Sequence, residues 1–194
     1  MERKTKVKRK TGETDIELAL NLDGKGKYEI DTPVPFLNHV LSSFARHGSF
    51  DLIIKATGDV STDPHHLVED IGICLGKAIA ECSADKKGIN RFGFAIIPMD
   101  ESRVTVSLDL SGRSYLVYSV EMLHEKIENM STMLMEDFFA ALVRNALMNL
   151  HIDKNSGLNS HHIMEAVFKA FGIALHNAVS KGANTSVPST KGVI

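Results

Sequence analysis

The 194-residue chain has no tryptophan, only two cysteines, no long apolar run and almost no net charge. Each shortage excludes something. No apolar stretch approaches the roughly 20 residues of a membrane span, so no membrane partner is expected. A formal net charge of −2 gives no reason to expect nucleic acid or an anionic membrane surface as partner. The basic run "MERKTKVKRK" lacks the apolar core of a signal peptide and reads as a solvated edge strand. Cys74 and Cys82 stand eight apart in a helical stretch. A rise of about 1.5 Å per residue separates them by about 12 Å, too far for a disulfide. They read as buried thiols, and the expected location is the cytoplasm. Glycine-rich phosphate cradles are missing as well, since neither GxGxxG nor GxxxxGKS occurs. The stretch "DGKGKY" reads instead as a hairpin turn.

What is present is periodic. Period-two alternation in "DIELALNL" puts Ile16, Leu18, Leu20 and Leu22 on one face, and "GKYEI" follows across the turn at Asp23-Gly24. "VPFLNHVLSSFARHG" is helical, with Phe36, Val40, Ser43 and Phe44 on one side and Gly48 as its stop. "DLIIKATG" is a strand, and "HHLVEDIGICLGKAIAECS" is a long helix with Pro64 just ahead of it. The second half repeats the order with "RVTVSLDL", "SGRSYLVYSV" turning at Gly112, "TMLMEDFFAALVRNAL", "NLHID" and "HHIMEAVFKAFGIALHNAV". Glu13 falls over Glu101, Gly24 over Gly112, Lys25 over Arg113 and His39 over Asp137. A two-residue difference ahead of the long helix is the one adjustment expected. The expected fold is therefore α+β and two-layered, a tandem duplication of a β-β-β-α-β-α half with each sheet covered on one face by helices. The halves are placed at 1–88 and 89–194, forming one compact unit.

The long helices of both halves open with His-His-x-x-Glu: His65, His66 and Glu69, then His161, His162 and Glu165. At roughly 100° per residue the two rings diverge, while the glutamate returns to within about 40° of the first histidine one turn later. Two ion sites per helix end are expected, each taking one histidine, with the carboxylate joining one of them. Imidazole with carboxylate and no thiolate suits Mn, Fe, Ni, Zn or Co rather than a structural zinc knot. The plain alternative is a pair of helix-terminal histidines bonded to backbone, and the second copy in register argues against it. His39 and its twin Asp137 are placed to complete a shell. His47 reads equally as a ligand or as a helix C-cap. His151 reads as structural, and His124 and His176 as surface residues without partners.

"FLNHV", "SFDLIIKATGD", "DPHHLVEDIG", "KGINRFG", "PMDES", "LDLSGR", "NSHHIMEAVFKAFGIAL" and "PSTKGV" together resemble the imidazoleglycerol-phosphate dehydratase family, in family order over almost the whole chain. The resemblance implies the ribosomal protein S5 domain 2-like class of fold and a monofunctional dehydratase of histidine biosynthesis. It implies two Mn²⁺ ions per active site, held by His39, His65, His66, Glu69, His161, His162 and Glu165, with Asp137 a further candidate of shorter reach. It implies Glu13 as the acid–base group and His47 in the substrate shell. It also implies a phosphate clamp of Arg91, Arg113, Lys169 and Lys191 helped by Ser189, residue types suited to anions. A homo-oligomer of 24 subunits with sites between subunits is implied too. The chain departs from the family at Asn38, where Asp is common, at Pro33 and Pro35, and at Asp137, where many relatives carry His or Glu. The expected chemistry is loss of water from a diol whose imidazole becomes an imidazolate between two cations. A metal-stapled scaffold and a dinuclear hydrolase are the rival readings; the first needs no phosphate clamp and the second no imidazole on its substrate.

Overall fold

In the computed structural model, which describes residues 3–61, 63–128, 130–182 and 185–194, the alternating segments pair as two four-stranded sheets. The basic N-terminal strand β1 (Lys4–Lys10) runs antiparallel to β2 (Thr14–Asn21) with Val7 opposite Leu18. It forms a sheet edge, as its charge pattern predicts, and charged edge strands resist pairing with other chains. The rest of the first half is β3 (Tyr28–Asp31), α1 (Pro35–Gly48), β4 (Asp51–Gly58) and α2 (His65–Cys82). The second half runs β5 (Phe92–Met99), β6 (Ser102–Asp109), β7 (Tyr115–Ser119), a short ribbon of β8 (Lys126–Ile127) and β9 (Met130–Ser131), α3 (Leu134–Ala146), β10 (Asn149–Ser156) and α4 (Ser160–Val179). The sheet orders β1-β2-β4-β3 and β5-β6-β10-β7 are the same topology twice.

The hairpin reading of "DGKGKY" is corrected by this order. β3 does not pair with β2; it lies parallel to β4 at the far edge, Tyr28 opposite Leu52. The chain between β2 and β3 steps over the start of β4, and Asp51 holds it there. Its carboxylate accepts the backbone N–H of Lys25 at 2.9 Å and of Lys27 at 3.1 Å. Gly24 is needed because a Cβ would sit 2.2 Å from the Asp51 nitrogen. The two N–H groups, Lys25 first, hold the Asp51 carboxyl below its ordinary pKa, against the opposing effect of partial burial. A carboxylate depressed on folding adds stability above its unfolded pKa and loses that contribution as pH falls through the folded value. Asp51→Asn is therefore expected to cost roughly 0.5–1 kcal/mol at neutral pH, after allowance for solvent screening. Thermal melts should show the gap closing in strong acid; a gap that persists there would contradict the assignment.

The repeat also needs more than the two-residue adjustment. The spacing from Glu101 to Asp137 is ten residues longer than that from Glu13 to His39, and the β8–β9 ribbon lies within that segment. Nor is Gly48 the left-handed stop of α1. Ser49 takes that conformation at φ 57° and its twin Leu147 takes it at φ 53°.

The helices of each half cover one face of their own sheet and meet the helices of the other half: α2 lies on β1 and β2 and against α3, while α1 lies on β3 and against α4. Gly76 and Gly172, twins in register, make these crossings close. A Cβ on Gly76 would meet the Leu142 carbonyl at 2.4 Å, and one on Gly172 the Phe44 carbonyl at 2.6 Å. Leu142 and Phe44 are twins too, so both halves use one contact to dock on each other. One continuous apolar core results, in which Cys74 and Cys82 are buried free thiols. Burial pushes them up to about 11 and about 12, which makes them poor nucleophiles. The outer face of the second sheet is less polar than solvent alone would favour: Phe92, Phe94 and Ile96 alternate outward along β5 and all are exposed.

Candidate metal centre

Both His-His pairs stand at the start of a helix where the side chain of a preceding residue accepts backbone N–H groups. Asp63 Oδ1 accepts the His65 N–H at 2.8 Å, and Asn159 Oδ1 accepts those of His161 and His162 at 3.0 and 3.4 Å. The imidazoles are therefore spared from capping. Consecutive rings stand nearly perpendicular, His65 to His66 at 83° with centroids 6.0 Å apart and His161 to His162 at 90° and 6.3 Å. The divergence expected from helix geometry is present.

The close approach of α1 to α4 brings His39 of the first half onto His161 and Glu165 of the second. His39 Nε2 lies 3.1 Å and His161 Nε2 3.5 Å from the same oxygen, Glu165 Oε2. One donor atom from each of the three lies within 4.8 Å of the others. Phe36 walls the group, its ring 5.1 Å from that of His161. Glu165 is 9 % exposed. Burial alone would raise its pKa, but hydrogen bonds from Lys169, at 2.7 Å, and His39 hold it below the usual range. A carboxylate kept ionised beneath two imidazole nitrogens, with no sulfur near, is a donor set that fits a borderline divalent cation.

The twin crossing of α2 and α3 brings together His65, Glu69 and Asp137. His65 Nε2 is 3.5 Å from Glu69 Oε2, the same spacing as its twin pair, and Asp137 Oδ2 is 3.5 Å from the other ring nitrogen, Nδ1. The remaining histidines turn away from these clusters. His66 Nδ1 faces Asp59 at 3.1 Å and Glu13 at 3.7 Å; His162 Nδ1 faces Glu101 at 2.9 Å. Asp59 and Glu101, first in each case, raise the pKa of their histidine. The twin glutamates have parted company. Glu101 also accepts the N–H groups of Leu158 and Asn159 and the Ser102 hydroxyl, which with His162 hold its carboxyl far below the ordinary range. Glu13 is exposed and has no such backbone bonds.

A separate cavity of about 830 Å³ is lined by Arg91, Arg113, Ser189 and Lys191, with Gly112 and the segment from Ser186 to Ile194. Arg91 is largely committed: its guanidinium takes both oxygens of Asp109 at 2.6 and 3.0 Å and donates to the Pro188 carbonyl at 3.0 Å, seating the tail. Among the described residues the side chains of Arg113 and Lys191 make no ion pair, so they could take an anion. Lys169 is not with them. It pairs with Glu165 and its ammonium lies 3.8 Å from the Met99 sulfur. None of the cluster residues lines the cavity.

His47 lies in the electrostatic reach of Lys169 and Glu165. Partial burial, then Lys169, lower its pKa while Glu165 pulls the other way. The C-cap of α1 is the Ser49 N–H on Ala45 and Arg46, so His47 is not spent there. His176, read as lacking a partner, meets the Gly48 carbonyl at 2.9 Å and joins α4 to α1. Sequence reasoning missed Asp59 and Asp109 and saw Glu101 only as a register mark. Short spacing from "GD" to "PHH" was the available signal for Asp59; nothing local marks Asp109.

The family model described as imidazoleglycerol-phosphate dehydratase matches residues 32–175. The chain is 53% identical to an imidazoleglycerol-phosphate dehydratase of Acetivibrio thermocellus over 100% of both chains. It is also 53% identical to one of Methanococcus vannielii, over 97% of this chain and 98% of that one. Among solved structures, the Pyrococcus furiosus enzyme superposes with a TM-score of 0.84 at 40% identity, covering 97% of this chain and 100% of the other. The Staphylococcus aureus enzyme does so at 0.82 and 38%, covering 92% and 99%.

Proposed function

The chain belongs to the imidazoleglycerol-phosphate dehydratase family, and from that premise we propose how its clusters and cavity carry out the reaction. It is a dehydratase of histidine biosynthesis that removes water from imidazole glycerol phosphate to give imidazole acetol phosphate. The observation that supports a metal-dependent route is the pair of twin clusters, each built from both halves of the chain. We assign two Mn²⁺ ions per active site, one to His39, His161 and Glu165 and one to His65 and Glu69. When bound, such ions would acidify the imidazole N–H and leave an electron-rich ring able to push density toward the carbon that loses its hydroxyl, the activation this diol otherwise lacks.

The remaining roles belong to the chain's own groups. The hydroxyl leaves from the carbon attached to the ring, and the proton leaves from the next carbon. Glu13, exposed beside His66 and unburdened by backbone bonds, takes that proton and returns one to the departing hydroxyl. Arg113 and Lys191 hold the phosphate with Ser189, and Arg91 seats the segment that carries them. His66 and His162 stand at the helix ends with Nδ1 held by a carboxylate, and His162 Nε2 lies 3.7 Å from the exposed Asp100; we assign their Nε2 atoms to an ion belonging to a neighbouring copy. Lys169 would reach a phosphate in the same way, across a subunit boundary. The apolar row Phe92, Phe94 and Ile96 is a face that another copy would cover. We read the assembly as a shell of 24 subunits with sites between them, located in the cytoplasm.

The test is to incubate Mn²⁺-loaded protein with imidazole glycerol phosphate and measure imidazole acetol phosphate. Formation of the product, lost on chelation and restored by Mn²⁺, is the expected result. Undiminished turnover in fully stripped protein would remove the metals from the mechanism.

A further inference from the structure

Resting on the reading of the clusters as ion sites, we infer that Asp137 is not an ion ligand but the carboxylate that orients His65, which leaves the two sites unequal. By register Asp137 occupies the place of His39. His39 reaches the oxygen of its glutamate, Glu165, with its own Nε2, on the same side as His161 Nε2. Asp137 does otherwise. It stands on the far side of the ring, 3.5 Å from Nδ1, while Nε2 of the same ring faces Glu69. An aspartate is shorter than a histidine and does not span the ring to the point where Nε2 and Glu69 converge.

A closer, hydrogen-bonded form of this arrangement occurs elsewhere in the chain. Asp59 stands 3.1 Å from His66 Nδ1 and Glu101 2.9 Å from His162 Nδ1. Three of the four paired histidines thus have a carboxylate at Nδ1. The fourth, His161, packs against Phe36 and His39. A carboxylate at Nδ1 fixes the tautomer with the proton there and turns the Nε2 lone pair outward as a stronger ligand. His39, His161 and Glu165 then supply three ligands from one chain, whereas His65 and Glu69 supply two. The second site depends more heavily on a neighbour's histidine and is the weaker of the pair.

The experiment titrates Mn²⁺ into stripped, full-length protein, following free ion by its paramagnetic resonance, for wild type, Asp137→Asn, Asp137→Ala and Asp137→His. Wild type should show two affinity classes per chain. Asp137→Asn should leave the tight class alone and weaken the other by about 10-fold, and Asp137→Ala by about 100-fold, the range for outer partners of a metal-bound histidine. In Co²⁺-loaded protein the Asp137→Asn spectrum should keep the wild-type band positions, because no ligand has changed. Asp137→His adds a nitrogen donor and should shift the bands and tighten the weak class. A shifted spectrum in Asp137→Asn, or a Mn²⁺-loaded wild-type crystal structure with an Asp137 oxygen within about 2.3 Å of the ion, would overturn the inference while leaving the ion sites standing. Two equal classes indifferent to all three variants would do the same. No ion uptake by wild type would end both readings.

Discussion

Glu165→Gln is expected to leave a folded chain that binds one Mn²⁺ instead of two and has lost more than 100-fold in turnover. The side chain keeps its shape and loses its charge, so the effect isolates that charge. Glu165 is the one carboxylate beneath both His39 and His161, and it is nearly buried. An amide in its place offers a cation a neutral oxygen and leaves the Lys169 ammonium, formerly 2.7 Å from a carboxylate, facing the ion. Both changes oppose a second positive charge in a site of low solvent access, where the interaction is least screened. Loss of an outer-shell partner typically costs about 10- to 100-fold, so loss of an anionic ligand should exceed that range. The stability cost should be moderate, about 1–3 kcal/mol, because the amide no longer offers the Lys169 ammonium a charged partner. Ion stoichiometry, melting temperature and turnover in saturating Mn²⁺ separate these effects. A variant that still binds two ions and turns over normally would show that the cluster is not the reaction centre.

That a single carboxylate can be weighed in this way follows from how the duplication is used. Neither half holds a complete cluster. His39 comes from α1 and Glu165 from α4, and the close crossing at Gly172 is what joins them. His65 and Asp137 meet at the twin crossing by Gly76. An insertion that forced α1 from α4 would break a core contact and an ion site together, so packing and function are tied at the same two glycines.

The local signals were legible in the chain itself: alternation in β2 and β6, the helical period of α2 and α4, and His-His-x-x-Glu repeated in register. These depend on residues a few places apart. The pairing of β3 with β4 was not legible, because a parallel partner lies across a helix and no turn residue announces it. "DGKGKY" has the composition of a hairpin turn, but Asp51, far along the chain, decides its course. The ribbon β8–β9 was hidden inside a repeat that aligned well on either side of it. At the site, sequence identified the imidazoles but not which nitrogen each presents. That choice rests with Asp59, Glu101 and Asp137, and the helix period says nothing about a partner on another element. Lys169 shows the same limit in reverse: resemblance groups it with Arg113 and Lys191, while the folded chain pairs it with Glu165.

The second large effect is expected at Glu13, and its twin supplies the control. Both glutamates stand one residue ahead of the second strand of their half and both face a helix-terminal histidine, so a purely structural role would make them equivalent. They are not. Glu101 is locked by His162, by two backbone N–H groups at the start of α4 and by Ser102, which keep it ionised under all ordinary conditions. A carboxylate so heavily stabilised as an anion is a poor proton acceptor. Glu13 is exposed, and among the described residues its carboxylate has only the more distant His66 contact, at 3.7 Å. Glu13→Gln should therefore lower kcat by about 10²- to 10⁴-fold, the usual share of a general acid–base group, with KM, ion stoichiometry and melting temperature near wild type. Glu101→Gln should act in the opposite manner. It loosens the start of α4, lowers the melting temperature, and reduces turnover no more than about 100-fold through a less firmly held His162. Equal kinetic losses in the two variants, or a Glu13→Gln protein that turns over at the wild-type rate, would place the proton transfer on some other group.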